Sequence, residues 1–120
     1  MTVKRIVSNI ATSAQAPDPA AAKTFYGEIL GLDRLMDHGW IVTYGSDQTM
    51  AVQISIASEG GSGTPVPDLS IEVEDVDLVC SQMKAAGFPI EYGPVNEPWG
   101  VRRFYVRDPF GKLVNILSHS

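Results

Sequence analysis

The residue types that most often perform catalysis are scarce in this chain. Its 120 residues include one cysteine and two histidines. His38 falls in a predicted hairpin and His119 at the C-terminus, whereas Cys80 lies in the apolar stripe of a predicted helix, which indicates a packed core thiol. The sequence contains no Ser/His/Asp or Cys/His arrangement, no phosphate-binding loop and no pair of acid/base histidines. This pattern favours binding over bond-breaking chemistry.

Two tryptophans are candidates for contact with a ligand. Trp99 stands between a proline and a glycine, just before a predicted strand, where it can stack on a planar ligand or anchor the loop. The sequence leaves both roles open. Trp40 begins the predicted strand 40–44 and is a second candidate, although for Trp40 we favour packing in the core.

The predicted strand that follows Trp99 has two different faces. Phe104 and Val106 should face the core, so the alternation of a strand places Arg103 and Tyr105 on the opposite, cleft-facing side. Ligand contact is one interpretation of Arg103. We slightly favour the other, a salt bridge to Asp68 or Glu72.

The secondary-structure elements that position these side chains follow an order that occurs twice along the chain. Residues 4–57 and residues 67–118 both have the pattern strand, helix and three strands. The helix of the first copy ends at Gly31 and that of the second at Gly87. Residues 58–66, rich in glycine, serine and proline, form a predicted flexible linker. Two such sheets can enclose one cleft within a single domain that covers residues 1–120.

Both predicted helices have clear starts and apolar stripes. Asp18 can cap the first helix, with Pro19 in its first turn, and Asp75 begins the second. The residues at helical spacing, which we assign to the core, are Ala22, Phe25, Tyr26, Ile29 and Leu30 in the first helix and Val76, Val79, Cys80, Met83 and Ala86 in the second.

Composition excludes several classes of function. The net charge of −5 argues against a nucleic-acid partner, because no basic stripe is available to bind phosphates. The longest apolar run is too short for a membrane span, and the N-terminus does not resemble a signal peptide. A single cysteine excludes an intrachain disulfide and fits a reducing compartment. We therefore expect a cytoplasmic protein without a nucleic-acid or membrane partner.

Several segments together resemble one superfamily. Residues 22–32 and residues 68–77 match its typical first helix and the opening of its second copy, and residues 98–104 and 107–111 are similar to its bleomycin-resistance branch. The chain thus resembles the vicinal oxygen chelate superfamily, also called the glyoxalase/bleomycin-resistance/dioxygenase group. The resemblance implies an α+β fold in which two βαβββ repeats form curved mixed sheets around a cleft. It also implies a homodimer, in which strands can be exchanged between protomers.

The resemblance also implies four positions for a divalent metal, one on the first and one on the last strand of each repeat. Those positions are occupied here by Asn9, Gln53, Asp68 and Asn115. Neutral amides are poor ligands for zinc, nickel or iron, and calcium or magnesium generally needs more than one carboxylate. We therefore predict no metal cofactor, and we interpret the four side chains as hydrogen-bonding groups of a cleft in preference to solvated polar residues.

The leading hypothesis is metal-free binding of a small aromatic or amphiphilic compound, in the manner of antibiotic-resistance binding proteins. Its predicted contact residues are Asn9, Gln53, Asp68, Asn115, Trp99, Arg103, Tyr105 and Trp40, with no catalytic residue. The alternative is a metal-dependent lyase, isomerase or dioxygenase of the glyoxalase type with an atypical site, which needs Asp68 with Glu72 or His119 as ligands. A third hypothesis is an accessory domain whose cleft has lost its ligand.

Overall fold

The computed structural model describes residues 7–47 and 54–119. In these ranges the first helical segment is a 3₁₀ turn followed by a π-helix, and the other elements are six strands and one α-helix. The elements are the 3₁₀ turn Pro19–Ala21, the π-helix Lys23–Ile29, β1 Asp33–Asp37, β2 Val42–Gly45, β3 Leu69–Glu72, the α-helix Val76–Ala85, β4 Ile90–Asn96, β5 Val101–Arg107 and β6 Leu113–His119.

The strands form two sheets, and the predicted α+β class is confirmed. β1 and β2 form an antiparallel hairpin, whereas the larger sheet has the order β3-β6-β5-β4. Within the larger sheet β3 and β6 are parallel and the other neighbours are antiparallel, so this sheet is mixed as expected.

The second half of the chain contains β3, the α-helix and β4–β6. In the first, the structure describes the helical segment and the β1–β2 hairpin. Asn9, assigned to its first strand, lies outside any strand, and so do residues 54–57 of its predicted last strand, 50–57. Residues 4–6 and 50–53 fall outside the described residues. The division into repeats of residues 4–57 and 67–118 therefore stays a prediction.

The first helical segment is wider than the α-helix that its stripe predicts. The side chain of Asp18 accepts a hydrogen bond from the Ala20 N–H at 2.9 Å, so the predicted cap is confirmed. The π-helical turns then bury two consecutive aromatic residues. Phe25 packs edge-on against Phe88 at 5.1 Å between ring centroids, while Tyr26 reaches a turn at the far end of the chain.

The core lies between the helical segments and one face of the larger sheet. Four of the five stripe residues in the α-helix are buried, and Ala86, which caps its C-terminus, is exposed. The core residues of the sheet are Phe104, Val106, Val114 and Ile116. Burial raises the pKa of the Cys80 thiol, which fits the predicted core role of that residue. No helix in the described ranges is long and apolar enough to cross a membrane.

One buried contact joins the two halves of the chain. The Tyr26 hydroxyl donates to Asp108 Oδ2 at 2.8 Å, and Asp108 Oδ1 accepts from the Phe110 and Lys112 N–H groups, each at 2.9 Å. A hydrogen bond from Gly111 N–H to the Asp108 carbonyl closes the turn 108–111. Burial, then the hydrogen bond and charge of Asp108, raise the pKa of Tyr26 far above its usual value.

This shift predicts a loss of stability at high pH that depends on Tyr26. A raised pKa in the folded state means that the contribution of Tyr26 is complete below its unfolded pKa near 10 and is lost as the pH rises above it. We expect the unfolding free energy of the wild type to fall about 1.4 kcal/mol per pH unit more steeply above pH 10 than that of Tyr26→Phe. Urea titrations between pH 8 and pH 11 measure both slopes, and equal slopes would contradict the assignment.

Candidate functional site

The candidate site lies on the face of the larger sheet opposite the core, which we call the polar face. Strand register places Tyr105 beside Asn115, and Asn115 beside Ser70. Arg103 lies two residues before Tyr105 on the same side of β5, as the alternation predicts. Three of the predicted contact residues, Arg103, Tyr105 and Asn115, therefore share this face.

A buried ion pair dominates the polar face. The Arg103 guanidinium approaches Glu97 Oε2 to 2.6 Å through Nη2 and to 2.8 Å through Nε, and both side chains are at most 4% exposed. The predicted salt bridge to Asp68 or Glu72 is therefore wrong. The β4–β5 hairpin brings Glu97 to Arg103, since the Glu97 N–H bonds to the Val101 carbonyl, whereas β6 separates β5 from β3.

Residues 59–65, which we call the strap, fold over this ion pair. Arg103 Nη1 donates to the Gly60 carbonyl at 2.8 Å and to the Tyr105 hydroxyl at 2.9 Å, and Nη2 donates to the Gly61 carbonyl at 3.3 Å. With the Nε bond to Glu97, the guanidinium donates four hydrogen bonds, and its Nη2 is also in ion-pair contact with Glu97. The predicted flexible linker 58–66 is thus held against the sheet by Arg103 in this structure.

Aromatic rings surround the guanidinium. Its carbon lies 5.0 Å from the Trp99 ring centroid, 5.5 Å from that of Tyr92 and 4.9 Å from that of Tyr105. Trp99 also packs on Gly61, where an added Cβ would lie 2.7 Å from the indole Cη2 atom. These contacts are those of a loop anchor, yet Trp99 remains 51% exposed. Stacking of Trp99 on a ligand stays a prediction.

Asn115 has an unpaired amide atom. Its side chain is 7% exposed, and its Nδ2 donates to the Ser70 hydroxyl at 3.1 Å. Oδ1 of Asn115 is buried and has no hydrogen-bond partner among the described residues. Exchanging the two amide atoms would leave the NH₂ group unpaired instead. A buried polar group without a partner is unfavourable unless something supplies the missing hydrogen bond.

Two predicted residues lie elsewhere, in a cavity of about 630 Å³. Asn9 and Trp40 line it together with Leu69 and Ile71, which pack against the core and so lie away from the polar face. Trp40 is 79% exposed, so the favoured core role is wrong. The reason is that β2 begins at Val42 and Trp40 belongs to the tight β1–β2 connection, closed by a hydrogen bond from His38 N–H to the Ile41 carbonyl.

The remaining predicted residues are Asp68 and Gln53. Asp68 lies immediately before β3, where its Oδ2 accepts a hydrogen bond from the Leu113 N–H at 2.8 Å. Gln53 lies outside the described residues. The structure therefore does not bring all eight predicted residues into one site.

The described members of the predicted metal quartet do not form a coordination sphere. Asp68 supplies the one carboxylate and already binds a backbone N–H, the Asn115 amide donates to Ser70, and Asn9 lines a separate cavity. In the described ranges no three His, Cys, Asp or Glu side chains are grouped as metal ligands. These donors do not fit a divalent metal.

The set of contact residues predicted from the sequence omits several residues of the polar face. Glu97 and Tyr92 contact Arg103, and the Tyr92 hydroxyl donates to Glu97 at 3.1 Å. Ser62 and Thr64 of the strap bond to Glu97 and Tyr105. A signal for Glu97 existed, because it immediately precedes the Pro98–Trp99–Gly100 turn that pairs β4 with β5. No local pattern indicates which strand the strap would contact.

The fold and the polar face define a class of protein built on a βαβββ unit with a polar sheet surface opposite its helix. The chain belongs to the Glyoxalase/Bleomycin resistance protein/Dioxygenase superfamily, whose sequence model matches residues 9–116. The resemblance inferred from the sequence motifs is thereby confirmed.

Solved structures share this fold. The antibiotic binding protein TnmS3 from Streptomyces sp. CB03234 is 24% identical, with a TM-score of 0.66 over 100% of this chain and 99% of that one. TioX from Micromonospora sp. ML1 is 22% identical, with a TM-score of 0.56 over 94% and 97% of the two chains. Lactoylglutathione lyase from Agrobacterium tumefaciens is 23% identical, with a TM-score of 0.58 over 94% and 95%. No curated protein matches the chain.

Proposed function

We propose that this chain is a metal-free binding protein that sequesters a small, flat aromatic or amphiphilic compound. The observation that carries the proposal is Asn115, whose buried amide on the polar face has an oxygen with no hydrogen-bond partner among the described residues. A ligand group can supply the missing hydrogen bond. The antibiotic-binding role of TnmS3, a protein of the same fold, supports a role in binding as well.

Four of the predicted contact residues have a role in ligand binding in this proposal. The exposed half of Trp99 stacks on the flat part of the ligand, while Asn115 forms a hydrogen bond that fixes its orientation. Arg103 and Tyr105 lie between them and can supply donors once the strap, which now accepts hydrogen bonds from both, is displaced. Asn9 and Trp40, which line the separate cavity, remain predicted contacts, as do Asp68 and Gln53, the latter outside the described residues.

The alternative, a metal-dependent lyase, isomerase or dioxygenase, requires ligands that are otherwise engaged. Glu72 Oε2 and His119 Nδ1 lie 2.9 Å apart and contact each other, and Asp68 accepts from a backbone N–H. The donor set therefore supports binding more than metal-assisted catalysis.

We further propose that the protein is a cytoplasmic homodimer. Large apolar side chains in the first half of the chain are exposed in the single chain, and a second copy can cover them. These side chains are Leu35, Trp40, Ile54 and Ile56. The same proposal includes an exchange of strands between the two copies.

Substitution of Trp99 tests the location of the site. In fluorescence titrations with a panel of fused-ring aromatic antibiotics, Trp99→Ala is expected to weaken binding about tenfold, because the stacking surface is lost. The thermal unfolding midpoint should change little, since Trp99 is half exposed. Trp40→Ala is the matched variant in the cavity. A large loss in Trp40→Ala with unchanged binding in Trp99→Ala would contradict a site on the polar face.

A further inference from the structure

We infer that the ligand of the polar face is uncharged and carries two neighbouring hydrogen-bond acceptors, which replace the carbonyl oxygens of Gly60 and Gly61 when the strap lifts. This inference rests on the proposed function and names the chemical class of its ligand. The strap then competes with the ligand for the N–H groups of Arg103.

The charge of the ligand follows from the ion pair. Arg103 and Glu97 are both buried and lie 2.6 Å apart, so the positive charge is already balanced. An anionic ligand beside Arg103 would bring a second negative charge close to Glu97, in a place with little water. A cationic ligand would instead be repelled by the positive charge of Arg103. An uncharged ligand avoids both penalties.

The hydrogen-bond acceptors that the ligand must carry are indicated by the Arg103 donors that the strap now pairs. One N–H of Arg103 Nη1 points to the Gly60 carbonyl and one of Nη2 to the Gly61 carbonyl, at 2.8 and 3.3 Å. If the strap lifts, these two donors lose their partners, and leaving them unpaired in a buried site is unfavourable. A ligand that occupies this place must therefore present two neutral acceptors, as the two peptide carbonyls do.

The strap is built so that it can move as a unit. Hydrogen bonds from Gly60 N–H to the Thr64 carbonyl and from Thr64 N–H to the Gly61 carbonyl hold its own shape. Its side-chain contacts with the sheet are the Ser62 hydroxyl to Glu97 at 3.1 Å and the Thr64 hydroxyl with that of Tyr105 at 2.9 Å. Ser62 has a φ of 52°, a conformation that a non-glycine residue rarely adopts.

The strap and the ligand type can be tested together with matched probes. N-methyl-1,8-naphthalimide is flat and uncharged, with two neighbouring carbonyl acceptors, and naphthalene-1,8-dicarboxylate has the same ring system with two negative charges. The wild type is expected to bind the imide at least about tenfold more tightly than the dicarboxylate, because the dicarboxylate places charge beside Glu97.

The variant Ser62→Ala/Thr64→Val removes the side-chain contacts of the strap with Glu97 and Tyr105 and leaves Trp99, Arg103 and Asn115 in place. It also removes the bond from the Thr64 hydroxyl to the Gly61 carbonyl within the strap. Because a weaker strap competes less, this variant should bind the imide about five- to tenfold more tightly than the wild type. Ser58→Ala is the control, since the Ser58 side chain forms no hydrogen bond in the described ranges. It should leave the affinity unchanged.

The outcomes separate this inference from the proposed function. Tighter binding of the imide by the strap variant, with preference for the imide over the dicarboxylate, supports the inference. Saturable binding with no change in the strap variant, or with preference for the dicarboxylate, overturns the inference and leaves the proposed function standing. Absence of saturable binding of both probes to all three proteins contradicts the proposed function, and the inference fails with it.

Discussion

Replacing Glu97 with alanine is expected to destabilise the protein by about 3–5 kcal/mol, because it leaves the Arg103 guanidinium buried without its counter-ion. Arg103 is 4% exposed and cannot recover full hydration without moving the strap. The Tyr92 and Ser62 hydroxyls also lose their acceptor. Urea unfolding followed by circular dichroism measures the effect as a lower midpoint.

The neighbouring residue offers the control for this prediction. Arg102 forms a bidentate pair with Asp77 on the surface, with 34% and 61% of the two side chains exposed. The pKa of Asp77 is lowered by that hydrogen bond, but an exposed pair contributes little to stability. Arg102→Ala should therefore shift the midpoint far less than Glu97→Ala. Equal shifts in the two variants would show that the Arg103–Glu97 pair is not buried in solution.

Replacing Asp108 with alanine is expected to destabilise the protein by about 3 kcal/mol or more. The Asp108 carboxylate accepts three hydrogen bonds, from the Tyr26 hydroxyl and from the Phe110 and Lys112 N–H groups. Hydrogen bonds to a charged group contribute about 1.5–3 kcal/mol each, and the buried Tyr26 hydroxyl would be left unpaired. Because Tyr26 and Asp108 are 82 residues apart, the contact also attaches the first helical segment to the larger sheet.

Asp18→Ala is the matched control for Asp108→Ala. Asp18 is exposed and accepts one hydrogen bond, at the start of a 3₁₀ turn, so its loss should cost about 1 kcal/mol or less. Unfolding free energies from urea titrations of the two variants give the comparison. An Asp108→Ala variant as stable as Asp18→Ala would contradict the role assigned to the buried carboxylate.

The sequence predicts the second half of the fold well, because its patterns are local. The alternation of Phe104 and Val106 with Arg103 and Tyr105 predicts which side chains face the core. In the structure Phe104 and Val106 pack in the core, and Arg103 and Tyr105 lie on the opposite face. The predicted start at Asp75 and the stripe from Val76 to Met83 likewise predict the α-helix, and in the structure Asp75 caps it. Each of these features depends on residues within a few positions of one another.

The polar face is harder to predict, since its contacts depend on how distant segments meet. Arg103 pairs with Glu97 and not with Asp68 or Glu72, because a hairpin places Glu97 beside it. Strap contacts with Arg103 span more than 40 residues, and the Gly/Ser composition of the strap indicates flexibility only. Trp40 has an apolar side chain that suggests the core, although its place in a tight connection exposes it.

The proposed function of this protein is to bind a flat small molecule without a metal. The most direct test is to titrate chelator-treated protein with fused-ring aromatic antibiotics and to follow tryptophan fluorescence, before and after addition of zinc, nickel, manganese or iron(II). We expect saturable binding to the chelator-treated protein, with an affinity that the metals do not change. Binding that appears only after a metal is added would contradict the account, as would the absence of saturable binding under every condition.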